Sequence, residues 1–147
     1  MQENKTGQGE GVVSVLESTL ESVDVAEQIV MNAAQELGFP EDDQYRIGMA
    51  IRESVVNAVV HGNCYNRNKK VRLGVMKDAD RLTVTIRDEG KGLDLSTLPD
   101  PVAAENLLNQ SGRGIFLMKA FMDEFEVKKL EPAGTEFKLV KYLGRES

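Results

Sequence analysis

The segment Arg52–Asn63, with the sequence RESVVNAVVHGN, places two polar side chains in a run of apolar helix-forming residues. Glu53 and Asn57 are four residues apart, so on a helix their side chains share a face and lie about 5–6 Å apart. An amide oxygen is a hard ligand suited to Mg²⁺, and a neighbouring carboxylate can act as a general base. The pair is therefore a candidate site for metal-assisted chemistry, although a solvated helix face carrying an incidental glutamate has the same pattern.

A second motif, DEGKG, runs from Asp88 to Gly92 at the end of a predicted strand. A carboxylate fixed there, followed by Gly90 and Gly92, would let the backbone approach a ligand closely. Asp and Gly also commonly leave strands as simple turns. The motif taken alone therefore leaves both interpretations open.

Two further motifs are glycine-containing. In SGRGIFLM, Gly112, Arg113 and Gly114 lead into a predicted helix N-terminus, where free backbone N–H groups and the helix dipole favour an anion. Arg113 adds a permanent charge that can bind a phosphate through two hydrogen bonds. A flexible loop before a helix has the same sequence character, and GTEF at 134–137 is by itself only a turn entering a strand.

Hydrophobic periodicity predicts the elements that hold these motifs. Apolar residues recur at spacings of three and four in both predicted helices, and the strand hairpins alternate with a period of two. The predicted elements are, in order, a strand at 12–18, a helix at 23–37 capped by Gly38, a helix from 41–43 to about His61, a hairpin over 71–87, a short helix at 114–122 and a closing hairpin around 131–134.

This order predicts an α+β fold, a two-layer α/β sandwich whose helices cover one face of a mostly antiparallel sheet. The long stretch 90–112 lacks periodicity, and such a loop inside a compact domain is usually functional. The length of 147 residues fits one domain. We predict a single domain at 12–147 and a flexible tail at 1–11.

Composition narrows the functional classes. The net charge is −6 and there is no block of Lys or Arg, so the chain is a poor candidate for binding nucleic acid. A protein partner or a metal-neutralised anion fits better. The single cysteine, Cys64, excludes an internal disulfide and suits the reducing cytosol. Because neither a membrane span nor a signal peptide is visible, a cytoplasmic location is expected.

Together and in this order, the four motifs resemble the nucleotide-binding boxes of the GHKL ATPase superfamily, whose members bind ATP in the Bergerat fold. Glu53–Asn57 resembles the N box, Asp88–Gly92 the G1 box, Gly112–Gly114 the G2 box and Gly134–Thr135 the G3 box. Within the superfamily, the short chain and the runs ESVVNAVVHGN, DEGKGLD and GRGIFLMKAFMDE are similar to the anti-sigma factor serine/threonine kinases. The resemblance covers roughly residues 12–143.

The resemblance implies a role for each matching residue. Glu53 takes the place of the proposed base, which accepts the proton of the attacking hydroxyl, and Asn57 that of the Mg²⁺ ligand. Asp88 corresponds to the aspartate that binds the adenine amino group, with Gly90 and Gly92 giving room. Thr135 is expected near the adenine.

The remaining implied roles concern the phosphate end. Residues 93–111 correspond to the ATP lid, Arg113 to the arginine that contacts the terminal phosphate, and Gly112 and Gly114 to its backbone cradle. The chain departs from some relatives in its short Ser-Gly-Arg-Gly series and in Val56, where several carry a hydroxyl. These departures leave the subfamily open.

The implied function is that of a kinase that uses ATP and Mg²⁺ to phosphorylate a Ser or Thr of an anti-anti-sigma protein with a STAS domain, and that sequesters a sigma factor as a homodimer. A sensor histidine kinase fits poorly, because the only histidine, His61, lies inside the N box. Two alternatives stay open: a binding module that ATP merely gates, and a slow ATPase in which Glu53 activates water.

Overall fold

The computed structural model describes residues 10–90 and 118–144. Its elements, in chain order, are β1 (Glu10–Leu16), α1 (Glu21–Leu37), α2 (Glu41–Val56), a π-helical turn (Asn57–Gly62), β2 (Val71–Asp78), β3 (Arg81–Arg87), β4 (Glu124–Lys129) and β5 (Thr135–Tyr142). Within these ranges the strands form one sheet in the order β1-β2-β3-β5-β4, and each neighbouring pair is antiparallel. The predicted α+β class with an antiparallel sheet is confirmed.

The sheet has one apolar face because β2 and β3 alternate between buried and more exposed residues. Leu73 lies opposite Ile86 and Val75 opposite Val84, so side chains of the same kind meet across the strands. All four are buried. We call this the inner face of the sheet, and the opposite one the outer face.

The helices cover the inner face. Ile47, Ile51 and Val55 of α2 form the predicted core stripe and are fully buried, while α1 contacts both β2 and β3. Gly38 ends α1 in the left-handed conformation, with φ 91°, and its N–H bonds to the carbonyl oxygens of Ala34 and Gln35. The predicted glycine cap is therefore confirmed. No helix of the described ranges has both the length and the apolarity needed to cross a membrane.

Some boundaries differ from the prediction. Glu10 and Gly11, assigned above to the tail, belong to β1 because their backbones pair with Lys77 and Met76. The helix predicted at 114–122 is helical at 118–121, and residues 114–117 lie outside the described residues. Residues 1–9 and 145–147 also lie outside them. The extent of the tail and the single domain therefore stay predictions.

Candidate functional site

The helix that carries Glu53 and Asn57 changes its hydrogen bonding between the two residues. It is α-helical to Val56, and the following turn, Asn57–Gly62, is π-helical. Single π-helical turns within α-helices are rare and occur frequently at functional sites. The wider turn thus begins at the residue with the predicted role in metal binding.

Asn57 is buried, with 3% of its surface exposed, although its side chain is polar. Its Nδ2 donates a hydrogen bond of 2.8 Å to the backbone carbonyl oxygen of Glu53. This bond takes one of the two N–H donors of the amide, and the amide oxygen is the atom suited to a cation. The Glu53 side chain is half-buried one turn earlier on the same helix.

Asp88 follows β3 and is 5% exposed. Its Oδ1 accepts hydrogen bonds from the backbone N–H groups of Gly90 and Thr135, both at 3.1 Å. Its own N–H donates to the Thr135 carbonyl oxygen at 3.0 Å. The structure therefore brings together Asp88, Gly90 and Thr135, which the sequence placed in two distant motifs.

Burial raises the pKa of the Asp88 carboxyl above its ordinary value. The N–H groups of Gly90 and Thr135 and the positive charge of Lys69 oppose this shift without cancelling it. A buried carboxyl with a perturbed pKa is typical of functional sites. A further hydrogen-bond donor supplied by a ligand would stabilise the charged form.

Glycines from three segments of the described chain meet around Asp88. A Cβ on Gly90 would lie 1.7 Å from the Gly62 carbonyl oxygen, and a Cβ on Gly62 would lie 2.1 Å from Asp88 Oδ2. At Gly134, where φ is +115°, a Cβ would lie 2.4 Å from the Asp88 carbonyl oxygen. Only a hydrogen atom fits at each position. From the sequence, Gly62 is expected only to end a helix, and its contact with Asp88 is not predicted.

The predicted phosphate end cannot be placed in the same way. Gly92, Gly112, Arg113 and Gly114, together with the lid at 93–111, lie outside the described residues. Their roles therefore stay predictions. The described part of the site comprises the two polar residues of the helix and the Asp88 cluster, which we define as Asp88 with Gly62, Gly90, Gly134 and Thr135.

Comparison with known proteins identifies the family. Residues 16–141 match the family model of the histidine kinase-like ATPase domain. The chain belongs to this ATPase family. Anti-sigma F factors of Bacillus thuringiensis (strain Al Hakam), Bacillus mycoides (strain KBAB4) and Bacillus cereus (strain AH187) are each 37% identical to it over 99 residues, which cover 66% of this chain and 68% of theirs. The resemblance to the anti-sigma factor branch of the GHKL ATPases is thereby confirmed.

A solved structure supports the fold of this histidine kinase-like ATPase domain. The crystal structure of the RsbU and RsbW domains of Rv1364c from Mycobacterium tuberculosis superimposes with a TM-score of 0.66 at 18% sequence identity. The match covers 93% of this chain and 33% of that one, so the chain spans a third of that protein. At this identity the likeness shows the shared fold.

The family implies ATP, typically with Mg²⁺, and the described residues fit both. The glycines of the Asp88 cluster keep side chains away from a buried carboxyl that can accept a hydrogen bond. The buried Asn57 amide offers a hard oxygen of the kind that Mg²⁺ prefers. The donor set therefore suits an adenine nucleotide at one end and a hydrated metal at the other.

Proposed function

We propose that the chain is an ATP-dependent protein serine/threonine kinase of the anti-sigma factor type. The observation that carries the proposal is the Asp88 cluster, a buried carboxyl held by two backbone N–H groups and ringed by glycines. It adjoins the end of the helix that bears Glu53 and Asn57, because Gly62 closes that helix against Asp88. The close approach of Gly62 to Asp88 supports the proposal that base recognition and proton transfer take place at neighbouring positions.

In this proposal each residue of the site has a separate role. Asp88 accepts the adenine amino group, and Thr135, bonded to it through the backbone, flanks the base. Asn57 would hold Mg²⁺, which when bound would offset the charge of the ATP phosphates. Glu53 accepts the proton of the attacking Ser or Thr hydroxyl. Arg113, with Gly112 and Gly114, is the proposed contact to the terminal phosphate, and Gly92 gives further room beside the base.

The name of the relatives, anti-sigma F factor, supports the proposal of a sigma factor as a partner. The proposed phosphate acceptor is an anti-anti-sigma protein with a STAS domain, and the second proposed partner is a sigma factor. Because sigma factors act in the cytoplasm, we propose a cytoplasmic location for this chain. Phosphorylation would release the acceptor and leave the kinase free to sequester the sigma factor.

The experiment that tests this function is a pull-down of the tagged chain from its native lysate with MgATP, followed by mass spectrometry. We expect a sigma factor to co-purify with the chain, and a STAS protein in the unbound fraction to carry phosphoserine or phosphothreonine. Bound partners without any phosphorylation would indicate the ATP-gated binding module instead. Release of ADP and phosphate without modified protein would indicate the slow ATPase.

Replacing Asp88 by Asn is expected to weaken ATP binding by about 1–3 kcal/mol, the range for a mispaired buried polar contact. The amide keeps an oxygen for the N–H groups of Gly90 and Thr135, but its NH₂ group faces a ligand where a carboxylate would accept a hydrogen bond. Isothermal titration calorimetry of both proteins in one buffer measures the difference. Equal affinities would contradict the role of Asp88 in base recognition.

The pH dependence of stability gives this variant a second readout. Because burial raises the pKa of Asp88, the folded state binds its proton more tightly than the unfolded state does. Stability from this group therefore falls as pH rises from the ordinary pKa of 3.8 to the raised value. Nucleotide-free D88N should accordingly be more stable than the natural protein above that window, with the difference vanishing below it.

Glu89 provides the matched control for this pH readout. The hydrogen bond from Arg72 holds the pKa of its carboxyl below the ordinary value. Its contribution is present at neutral pH and is lost as pH falls through the lowered pKa, so E89Q should be destabilised at neutral pH. Thermal unfolding of both variants across pH checks the opposite signs. If both substitutions changed the stability at neutral pH in the same direction, the opposite pKa shifts of Asp88 and Glu89 would be contradicted.

We further propose that the chain forms a homodimer through the outer face of the sheet. This face exposes Val13 by 68%, Val15 by 57% and Met76 by 42%, an apolar patch of the kind that marks protein interfaces. Toward β4 the same face carries charges of both signs, including the Arg87–Glu136 ion pair at 3.0 Å. A contact between two copies across this face would bury these exposed valines.

Replacing Val13 by Asp is expected to shift the dimer to monomer. The substitution puts a charge in the middle of the apolar patch. Because both copies contribute the same patch to a two-fold interface, the interface would have to bury two such charges. Light scattering coupled to size-exclusion chromatography measures the mass. The control is V25D, which charges an exposed valine of α1, away from the outer face. A V13D protein that stays dimeric would exclude this interface.

A further inference from the structure

Asn63 lies directly after the π-helical turn and is 2% exposed. Among the described residues its side chain makes three hydrogen bonds that use both ends of the amide. Nδ2 donates to Ser18 Oγ at 2.8 Å and to the Lys70 carbonyl oxygen at 3.0 Å, while Oδ1 accepts the backbone N–H of Glu89 at 2.7 Å. One side chain thus joins the residues after β1, the residue before β2 and the loop after β3.

The bond to Glu89 bears directly on the Asp88 cluster, because Glu89 is the residue between Asp88 and Gly90. The Gly90 N–H is bonded to Asp88 Oδ1, and the Glu89 N–H is bonded to Asn63, so two successive N–H groups of this loop are fixed. Gly62, next to Asn63, packs closely against Asp88 Oδ2. The helix end therefore fixes the loop through a hydrogen bond and through a steric contact.

We infer that Asn63 is a positioning residue for base recognition. It holds the loop at 88–90 against the end of the π-helical turn, and so sets the position in which the Asp88 carboxylate meets an adenine amino group. The inference rests on the proposed function, in which Asp88 binds the base. Asn63 itself acts through Asp88 and needs no contact with the nucleotide.

The inference predicts a change in base selectivity. A carboxylate in the correct position accepts a hydrogen bond from the adenine amino group and repels the carbonyl oxygen that guanine carries at the same place. ATP and GTP carry the same triphosphate, so contacts to the phosphates would not distinguish them. Loss of the Asn63 bond should therefore reduce discrimination between the two bases by about tenfold, because selectivity depends on exact pairing of buried polar groups.

The test compares N63A with S18A. Ser18 is buried and belongs to the same network, since its hydroxyl accepts from Asn63 and donates to the Lys69 carbonyl oxygen. Its removal leaves the bond between Asn63 and Glu89 in place. Both variants should unfold at lower temperature, but only N63A should show a reduced ratio of GTP to ATP dissociation constants, measured well below its unfolding transition. An N63A protein with the natural ratio would overturn the inference.

Amide hydrogen exchange of the unmodified, nucleotide-free protein tests the same contact if N63A does not fold. The Glu89 amide should exchange slowly, together with those of Gly90 and Thr135, and fast exchange at Glu89 alone would overturn the inference. The two proposals fail separately. An unmodified chain that does not bind ATP refutes the proposed function, whereas preferential ATP binding with unchanged selectivity in N63A refutes only the role of Asn63.

Discussion

Exchanging Glu53 for Gln is expected to abolish detectable phosphoryl transfer and to leave ATP binding largely intact. Glutamine has the same shape but cannot accept a proton, and loss of a general base lowers rates by about 10²–10⁴-fold. The hydrogen bond from Asn57 goes to the backbone oxygen of residue 53, so the substitution preserves it. Initial rates of transfer from labelled ATP to the partner protein, together with calorimetry for ATP, measure the two effects.

The control for this prediction is E41Q. Glu41 lies at the exposed start of the same helix, α2, so the substitution removes the same charge about 18 Å from residue 53 along the helix axis. We expect E41Q to transfer phosphate normally. Transfer at the natural rate by E53Q would exclude Glu53 as the base. Loss of ATP binding in E53Q would assign Glu53 to nucleotide binding instead.

Local features, such as the buried apolar face of a helix or the glycine that ends it, could be predicted from the sequence. The stripe of Ile47, Ile51 and Val55 is apolar at helical spacing because one side of α2 is fully buried. The glycine at 38 ends α1 because the left-handed conformation there, with φ 91°, is cheap only for glycine. Such features are local, and each is visible within one or two turns of the chain.

Features that depend on distant contacts could not be predicted from local pattern. Asp88 lies close to Thr135 because β5 pairs with β3. The residues of the two strands contain no local pattern that predicts this pairing. Only the resemblance to the GHKL boxes grouped the two residues. The π-helical turn is likewise unmarked, since its residues, Asn57–Gly62, continue the apolar spacing of α2.

Asn63 shows the same limit in a single side chain. Its three partners come from residues 18, 70 and 89, which are far apart in the sequence. A polar residue after Gly62 reads as an ordinary turn, and the positive φ angles of Cys64 and Tyr65, 52° and 60°, give no sequence signal either. The cue available was an amide next to a glycine at a helix end. An amide at this position becomes informative only when the hydrogen-bond partners of Asn63 are known.

Alanine at residue 90 is expected to lower the free energy of unfolding by about 3 kcal/mol and to abolish detectable ATP binding. Its Cβ would lie 1.7 Å from the carbonyl oxygen and 2.4 Å from the carbonyl carbon of Gly62, which are backbone atoms that cannot rotate away. Movement of Gly62 is limited by Asp88 Oδ2, against which Gly62 already packs. Urea unfolding and calorimetry measure stability and binding.

Gly48 provides the matched control because the same substitution there should have the opposite sign. It lies inside α2, and a Cβ at this position would meet Glu27 Oε2 at 3.0 Å, the far end of a flexible side chain. Alanine in a helix interior is favoured over glycine by about 0.5–1 kcal/mol, so G48A should be as stable as the natural protein or more so. If G90A matched G48A in both stability and ATP binding, the helix end and the Asp88 loop would not be in close contact. In that case Asp88 could not owe its position to the glycines around it, and base recognition would have to depend on residues outside this cluster.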